Sequence, residues 1–227
     1  MKRVTSTLFT SLLCVWALST QAAASPWIEG KNYVVLDPLQ HTSVPAGKIE
    51  VMEVFNYGCV FCNKFQPVIE ELRQHLPANA QMVYMPAGFL PTEDFPMFQR
   101  AFFAAQSLGV AERTHQAMFD AVWETGELGI LDSTTGRLKS PAPSLEDAAR
   151  CYERLTGIKR EAFLAAAKSP GVDAKVRAAD DQIKAMRIPG TPCLIVNGKY
   201  RIVMDSLSSV GDVIDLVNFL VSKETAH

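Results

Sequence analysis

A pair of cysteines separated by two residues, Cys59 and Cys62, constrains this chain more than any other feature of its sequence. The pair directly follows residues 49–56, whose β-branched and aromatic side chains predict a strand, and it opens a segment of helical periodicity. Cysteines three residues apart on one helical turn share a face, so their sulfur atoms can join in a disulfide. The free amides and the dipole of a helix N-terminus favour the thiolate form of Cys59. The spacing therefore predicts an attacking thiol at Cys59 and a buried resolving thiol at Cys62.

Two other uses of such a pair fit the sequence less well. A structural zinc site would require a second cysteine pair or a close pair of histidines. Cys151 and Cys193 lie far apart and the four histidines lack ligand spacing, so we expect no bound metal. A purely structural disulfide stays open as an alternative, although a CxxC between a strand and a helix is typical of a redox thiol.

The N-terminus has the features of a secretory signal peptide, which we assign to residues 1–24. Lys2 and Arg3 precede a short apolar run, and Ala22–Ala24 supply the small residues of a cleavage site. A retained membrane anchor is the alternative, but the apolar run is short and no later segment is apolar enough to span a membrane. We therefore expect an exported protein in an oxidising compartment. The net charge of −2 argues against the strongly basic surface of a nucleic-acid-binding protein.

The rest of the chain shows strand and helix signals in an order that indicates an α/β fold. A strand, the CxxC helix and a second strand at residues 80–86 have the length of a right-handed βαβ unit. A long stretch of helical periodicity follows. A strand from Cys193, an Asn197-Gly198 turn, a returning strand and a final helix then end the chain. The predicted order is βαβ, a helical insertion, and ββα.

The position of Glu53 in the first strong strand suggests a buried acid. Period-two alternation places Glu53 on a strand face with apolar residues, although an edge or surface position remains an alternative. Burial would disfavour the charged carboxylate and raise the pKa of Glu53. Such a group could carry a proton for Cys62.

The Thr191-Pro192 pair stands at the start of a late predicted strand. Proline has no amide hydrogen to donate, so it is tolerated at the beginning or at the edge of a strand. A cis proline here would leave neighbouring backbone groups free to pair with an extended substrate. An ordinary trans proline in a turn is the alternative from the residues alone.

Taken together, these features resemble the thioredoxin superfamily and, within it, the DsbA-type periplasmic thiol:disulfide oxidoreductases. The resemblance implies an α/β thioredoxin fold made by residues 25–92 and 171–227, with an inserted all-helical domain at residues 93–170. It further implies a cis peptide bond before Pro192, a buried carboxylate at Glu53, and a substrate-binding surface. The matching segments are Val-Met-Glu-Val-Phe around Glu53, the Cys59–Cys62 pair, Thr191-Pro192 and Val196-Asn-Gly-Lys-Tyr200. The expected substrate-binding residues are Val60, Phe61, Thr191 and Pro192.

The resemblance also implies what the protein does and with which partners. It indicates an enzyme that introduces disulfide bonds into newly secreted proteins through the Cys59–Cys62 couple, with no organic cofactor. Its substrates would be reduced or unfolded secreted proteins, and a DsbB-type membrane quinone reductase would reoxidise it. We expect a periplasmic monomer that binds no nucleic acid. Two alternatives stay open: a disulfide reductase or isomerase, and a chaperone-like peptide-binding module without redox turnover.

The two residues between the cysteines depart from the family pattern. The resemblance leads us to expect Cys-Pro-His-Cys, whereas this chain has Val60 and Phe61 between the cysteines. The positive imidazolium that could stabilise a Cys59 thiolate is therefore missing. We expect helix amides and the helix dipole alone to lower the pKa of Cys59.

The two remaining cysteines suggest a second disulfide. Cys151 lies on a predicted helix of the insertion, and Cys193 opens a strand of the core. Because an exported chain with an even number of cysteines tends to pair them, we expect a structural Cys151–Cys193 bridge. The alternative is two buried free thiols that pack as small apolar side chains.

Overall fold

The computed structural model describes residues 26–90 and 95–225, so the predicted signal peptide lies outside the described residues. The described residues form a five-stranded mixed sheet with the strand order β1-β5-β4-β2-β3. The strands are β1 (Tyr33–Val35), β2 (Ile49–Phe55), β3 (Ala80–Pro86), β4 (Cys193–Val196) and β5 (Tyr200–Ile202). Strands β2 and β3 are parallel, whereas β4 pairs antiparallel with both β2 and β5. Strand β4 is therefore central, β2 lies between β4 and β3, and β3 is at one edge.

The described part of the chain has seven α-helices, in the order that the sequence predicts. They are α1 (Val60–His75), α2 (Phe95–Ser107), α3 (Ala111–Trp123), α4 (Leu145–Thr156), α5 (Arg160–Ala167), α6 (Pro170–Ala185) and α7 (Val210–Thr225). The order βαβ, helical insertion, ββα is confirmed. Helix α4 begins with the reciprocal hydrogen bonds of a capping box between Ser144 and Asp147.

Three apolar clusters hold these elements together. Helices α1 and α7 pack on one face of the sheet, around Ile69, Leu72 and Val217. Helix α6 contributes Ile183 to the opposite face, where it packs with Met52 and Ile195. The third cluster combines the helical insertion with the C-terminal end of β2 and with both CxxC cysteines. The insertion therefore packs directly against the predicted redox site.

Helix α6 connects the insertion to the sheet. Its residues Val172 and Ala179 belong to the cluster of the helical insertion, whereas Ile183 belongs to the cluster on the sheet. One continuous helix thus runs from one part of the molecule to the other. The predicted domain boundaries at residues 93 and 170 stay predictions, and residue 93 lies in the undescribed segment 91–94.

The returning strand of the hairpin after β4 is shorter than the sequence predicts, since the pattern indicates a strand from Lys199 to Met204 and β5 spans Tyr200–Ile202. Asn197 and Gly198 have φ values of 54° and 60°, as expected of a tight hairpin turn. A Cβ atom at Gly198 would lie 2.3 Å from the carbonyl oxygen of Gln40, so this position requires glycine. Strand β5 ends at Ile202 because its partner β1 has only three residues, and a 3-10 turn at Met204–Ser206 follows.

Candidate active site

The two CxxC cysteines lie where β2 meets α1. Cys59 is the N-cap residue of α1, and its sulfur accepts a hydrogen bond of 3.4 Å from the amide of Cys62. Both thiols are free, so the structure shows the reduced form of the pair. Cys59 keeps 6% of its surface exposed, whereas Cys62 is fully buried. The predicted accessible and buried members of the pair therefore occupy the expected positions.

The surroundings of Cys59 favour its thiolate. Hydrogen bonds from the Cys62 thiol, the Thr191 side chain and the amides of Phe61 and Cys62 lower the pKa of Cys59 to about 6, although burial opposes this. At neutral pH most of the reduced protein therefore carries a thiolate at Cys59. The pKa of Cys59 is thus lowered without a histidine between the cysteines, as expected. The expectation that helix amides act alone is wrong, because the Cys62 thiol makes the largest lowering contribution and the amides of Cys62 and Phe61 the smallest.

The surroundings of Cys62 have the opposite effect. Burial, hydrogen bonding to Cys59 and the nearby negative charges of Cys59 and Glu53 raise the pKa of the Cys62 thiol far above its ordinary value. Cys62 therefore holds its proton whenever Cys59 is ionised. Cys59 is therefore a good leaving group, whereas Cys62, one helical turn away, is a thiol that stays neutral.

Glu53 is fully buried in the centre of β2, which confirms the expected burial. Desolvation raises the pKa of Glu53 to about 8, against a lowering contribution from its hydrogen bond with Gln66. The amide nitrogen of Gln66 lies 3.4 Å from the Glu53 carboxylate and also 3.4 Å from the carbonyl oxygen of Cys62. Near neutral pH, Glu53 therefore remains mostly protonated beside the buried thiol.

The Thr191-Pro192 loop lies directly before β4, the neighbour of β2, and therefore next to the CxxC pair. The peptide bond before Pro192 is cis, as the resemblance implies. The carbonyl oxygen of Thr191 lies 3.4 Å from the Cys59 sulfur and accepts a hydrogen bond from it when Cys59 is protonated. Residues 132 positions apart in the sequence thus meet at the reacting atom.

An open groove of about 500 Å³ lies beside this loop. Phe61, Thr191 and Pro192 line it, and the Phe61 side chain is 67% exposed. Val60, the first residue of α1, is partly buried and does not line the groove. Three of the four expected substrate-binding residues therefore line one groove, whereas Val60 does not line it.

Comparison with known proteins shows where this arrangement recurs. The DSBA-like thioredoxin domain matches residues 50–210. This chain belongs to the DsbA-like thioredoxin family. The thiol:disulfide interchange protein DsbA of Pseudomonas aeruginosa is 30% identical over 220 residues, covering 96% of each chain. DsbA of Pseudomonas syringae pv. tomato is 31% identical over 212 residues, covering 93% of this chain and 91% of the relative.

Solved structures agree with the sequence relatives. The oxidoreductase DsbA of Xylella fastidiosa superposes with a TM-score of 0.75 at 30% identity, covering 89% of this chain and 99% of that one. Pseudomonas aeruginosa DsbA gives a TM-score of 0.72 at 30% identity, covering 88% and 95%. The chain is thus a DsbA-like thiol:disulfide oxidoreductase with the predicted α/β thioredoxin fold, and Cys59–Cys62 forms its CxxC pair. DsbA homologues are periplasmic and act on secreted proteins.

The structure contradicts the expected bridge between Cys151 and Cys193. Both thiols are free and buried, and they belong to different apolar clusters. The Cys151 sulfur lies 3.9 Å from the sulfur of Met118 in the helical insertion, whereas Cys193 packs against the sheet face covered by α6. An even number of cysteines does not bring two sulfurs to bonding distance, because tertiary packing directs each side chain into its own cluster. The two residues thus act as small apolar side chains.

This correction predicts the number of thiols in the oxidised protein. Denaturation without reduction should expose two free thiols per mature chain, which alkylation and peptide mapping place at Cys151 and Cys193. Burial raises the pKa of each of these thiols to about 11, so the folded protein should react with neither at neutral pH. No free thiol in the denatured, unreduced protein would show that the bridge forms after all.

Three residues that support the site were not predicted from the sequence. Gln66 connects Glu53 to the backbone of Cys62, and its position four residues after Cys62 was the available signal. The indole of Trp123 donates a hydrogen bond of 2.8 Å to the carbonyl oxygen of Tyr57, two residues before Cys59. His115 is buried, and its Nδ1 lies 3.1 Å from the Tyr57 hydroxyl. No local pattern marks Trp123 or His115, because both reach the site from the insertion.

Residues 26–90 and 95–225 offer neither a metal-binding cluster nor a membrane-spanning helix. No group of three or more histidine, cysteine, aspartate or glutamate side chains there could hold a metal ion. No helix in that part of the chain is long and apolar enough to cross a membrane.

Proposed function

We propose that this protein is an oxidase that introduces disulfide bonds into newly secreted proteins in the periplasm, after cleavage of its signal peptide. The observation that carries the proposal is the contrast between the two thiols. The pKa of Cys59 lies at about 6, whereas that of Cys62 is raised far above its ordinary value. A thiolate that is stable in the reduced protein makes the disulfide form readily reducible and therefore oxidising.

The reaction has two steps that balance in electrons. A substrate thiolate attacks the Cys59 sulfur, the Cys59–Cys62 bond breaks, and Cys62 leaves with the electron pair. A second substrate thiolate then attacks the substrate sulfur of the mixed disulfide, and Cys59 leaves as a thiolate. The substrate is oxidised to a disulfide, and the CxxC pair takes up two electrons.

Glu53 supplies the proton that the first step requires. Cys62 leaves as a thiolate in a fully buried position, where charge is unfavourable. Glu53 has a pKa of about 8 and is mostly protonated at neutral pH, so it can transfer a proton to Cys62. Gln66 keeps the carboxyl group of Glu53 beside the backbone of Cys62. Gln66 is therefore a positioning residue for this transfer.

The groove beside Thr191-Pro192 suits an extended substrate. Exposed Phe61 offers an apolar contact, and Thr191 and Pro192 form the adjacent wall next to Cys59. We propose reduced or unfolded secreted proteins as substrates and a DsbB-type membrane quinone reductase as the oxidant that restores the disulfide. The protein is proposed to act as a monomer.

Titration of the Cys59–Cys62 couple against glutathione, with parallel assays of peptide oxidation and insulin reduction, tests the direction of the reaction. An oxidase should have a couple more oxidising than glutathione and should oxidise a reduced peptide faster than it reduces insulin. A couple more reducing than glutathione, with insulin reduction as the faster reaction, would favour the reductase or isomerase alternative. Absence of both reactions would leave only the chaperone-like module.

The Phe61→His substitution tests the origin of the thiolate. An imidazolium between the cysteines would stabilise the Cys59 thiolate by charge, which the exposed Phe61 ring cannot do. We expect a lower pKa of Cys59 and a couple about tenfold more oxidising, equivalent to about 30 mV for two electrons. The Phe61→Leu variant is the uncharged control and should leave the couple close to that of the original protein. An unchanged or more reducing couple in Phe61→His would contradict this account.

A further inference from the structure

Strand β3 forms an outer edge of the sheet, and its residues leave that edge unprotected. It pairs with β2 on one side, and no strand of the described residues pairs with its other side. Its sequence, Ala-Gln-Met-Val-Tyr-Met-Pro, carries no charged residue. Edge strands usually carry charges, bulges or proline, because their free backbone groups invite another strand, and β3 has only the proline at its last position, Pro86.

The hydrogen-bonding pattern identifies which groups of β3 are free for pairing. Ile49 donates to the carbonyl of Asn79, and Ala87 donates to the carbonyl of Phe55. Because parallel pairing uses alternate residues, the odd-numbered residues of β3 face β2. The amide and carbonyl groups of Met82 and Tyr84 therefore point outward.

Three cavities adjoin this outer edge. Their volumes are about 550, 600 and 330 Å³, and Tyr84 and Glu112 line all three. The first extends towards α6 and the second towards α1, so they meet at the edge strand itself. We call the space that they share between β3 and the start of α3 the edge trench. One end reaches Gln66, the residue that bonds Glu53.

The edge trench is lined by side chains of both charges, so it favours neither an acidic nor a basic bound chain. Arg73, Arg113 and Lys175 supply positive charge, and Glu70 and Glu112 supply negative charge. The β3 residues Met82, Val83 and Met85 supply apolar surface between them. Backbone pairing with mixed side-chain contacts binds extended chains with little dependence on their sequence.

We propose that the edge trench binds a stretch of unfolded substrate chain as an additional strand along β3. A folded protein has already paired its backbone groups, whereas an unfolded chain still offers free amides and carbonyls to Met82 and Tyr84. One end of the trench reaches Gln66, which contacts Glu53 and the backbone of Cys62, so a chain that continues beyond this end can present a cysteine to Cys59. This inference rests on the proposed function only in the choice of an unfolded secreted protein as the occupant.

Site-specific photocrosslinking measures this binding directly. A benzophenone amino acid at Gln81, an exposed residue of β3, should crosslink a reduced and carboxymethylated protein but not the native form of the same protein. The matched control places the probe at Gln74, an exposed residue of α1 that lines none of the three cavities. We expect at least about tenfold more product at Gln81. Equal yields at the two positions, or crosslinks only to a second copy of this chain, would overturn the proposal.

The carboxymethylated chain has no free thiol, so its crosslinking does not depend on the redox reaction. If the proposed oxidase activity fails while crosslinking at Gln81 persists, only the function is wrong. If the oxidase activity is present and crosslinking at Gln81 is absent, only the edge trench proposal is wrong. The two failures are therefore distinguishable.

A pair of variants at Met82 tests the backbone contact itself. Met82→Pro removes an outward amide hydrogen, whereas Met82→Ala shortens the same side chain and keeps that hydrogen. We expect KM for a reduced, unfolded protein to be about fivefold to tenfold higher in Met82→Pro than in Met82→Ala, as for one lost hydrogen bond. Exchange with a short cysteine peptide that cannot reach β3 should be equal in the two variants and reports that both are folded. Equal KM values for the unfolded protein would contradict the proposal, and the crosslinking decides the matter if Met82→Pro does not fold.

Discussion

Replacing Cys59 with alanine should abolish disulfide transfer. Cys62 is fully buried with a strongly raised pKa, so it cannot take over as nucleophile. Cys151 and Cys193 have pKa values of about 11, so only about one thiol in 10⁴ is ionised at pH 7. The oxidation rate of a reduced peptide should therefore fall to the uncatalysed rate.

Replacing Cys62 should have a different effect from replacing Cys59. The Cys62→Ser variant keeps the reactive Cys59 thiolate but has no second thiol to resolve a mixed disulfide. We expect covalent complexes with substrate that are stable to denaturing electrophoresis and are released by dithiothreitol. The control is a Cys151→Ala/Cys193→Ala variant, which should oxidise peptides at an unchanged rate. Activity that survives Cys59→Ala would refute the assignment of the attacking thiol.

The stability of the oxidised protein should fall as pH rises from 6.5 to about 8, and Glu53 should be the cause. Burial is the largest cause that raises the pKa of Glu53 from 4.5 to about 8 in the reduced protein, and it persists in the oxidised form, which lacks only the smaller contribution of the Cys59 charge. Between these pH values the unfolded state has released the proton that the folded state still holds. The free energy of unfolding therefore decreases by about 1.4 kcal/mol for each pH unit. The oxidised form is chosen because the Cys59 and Cys62 thiols do not titrate in it.

His115 has the opposite effect on the acid side. Burial lowers the pKa of His115 from 6.5 to about 3. Between these values the unfolded state binds the additional proton, so stability rises with pH. The two contributions cancel between pH 4.5 and 6.5, which predicts a plateau there. Stability should decline on both sides of the plateau.

Chemical denaturation of the oxidised protein from pH 4 to 8.5 would measure these slopes. Glu53→Gln keeps the size of the side chain and removes its titration, so it should flatten the decline above pH 6.5. His115→Phe should flatten the acid side and extend the alkaline decline down to about pH 4.5, because the cancelling contribution of His115 is lost. A Glu53→Gln protein with the same alkaline decline as the original would show that Glu53 does not hold its proton in the folded state.

Most of the redox site was predictable because its chemistry is local in the sequence. A strand followed by Cys59 and Cys62 at the start of a helix fixes which thiol lies at the helix N-terminus and which lies one turn further inside. Alternation along a strand was enough to suggest the burial of Glu53. The position of Pro192 before β4 was also visible, although its meaning depended on the resemblance to the family.

Predictions that joined distant parts of the chain were less secure. The expected Cys151–Cys193 bridge followed from cysteine number and compartment, neither of which contains information about distance. Packing places Cys151 among the insertion helices and Cys193 against α6. Val60 similarly lies next to Phe61 in sequence, but the helix directs the two side chains to different surroundings.

The sequence by itself determined the order of the helices and strands, the position of the reactive cysteine pair, and which of the two cysteines favours the thiolate. These properties depend on contacts within one strand, one helical turn or one hairpin, where spacing alone fixes which groups are neighbours. Tertiary structure alone decided that Gln66 bonds Glu53, that Thr191 reaches Cys59, and that β3 has an open edge. The physical reason is that these contacts depend on how the sheet and the insertion pack together. That packing depends on the shapes of all the core side chains jointly, and no local stretch of sequence contains this information.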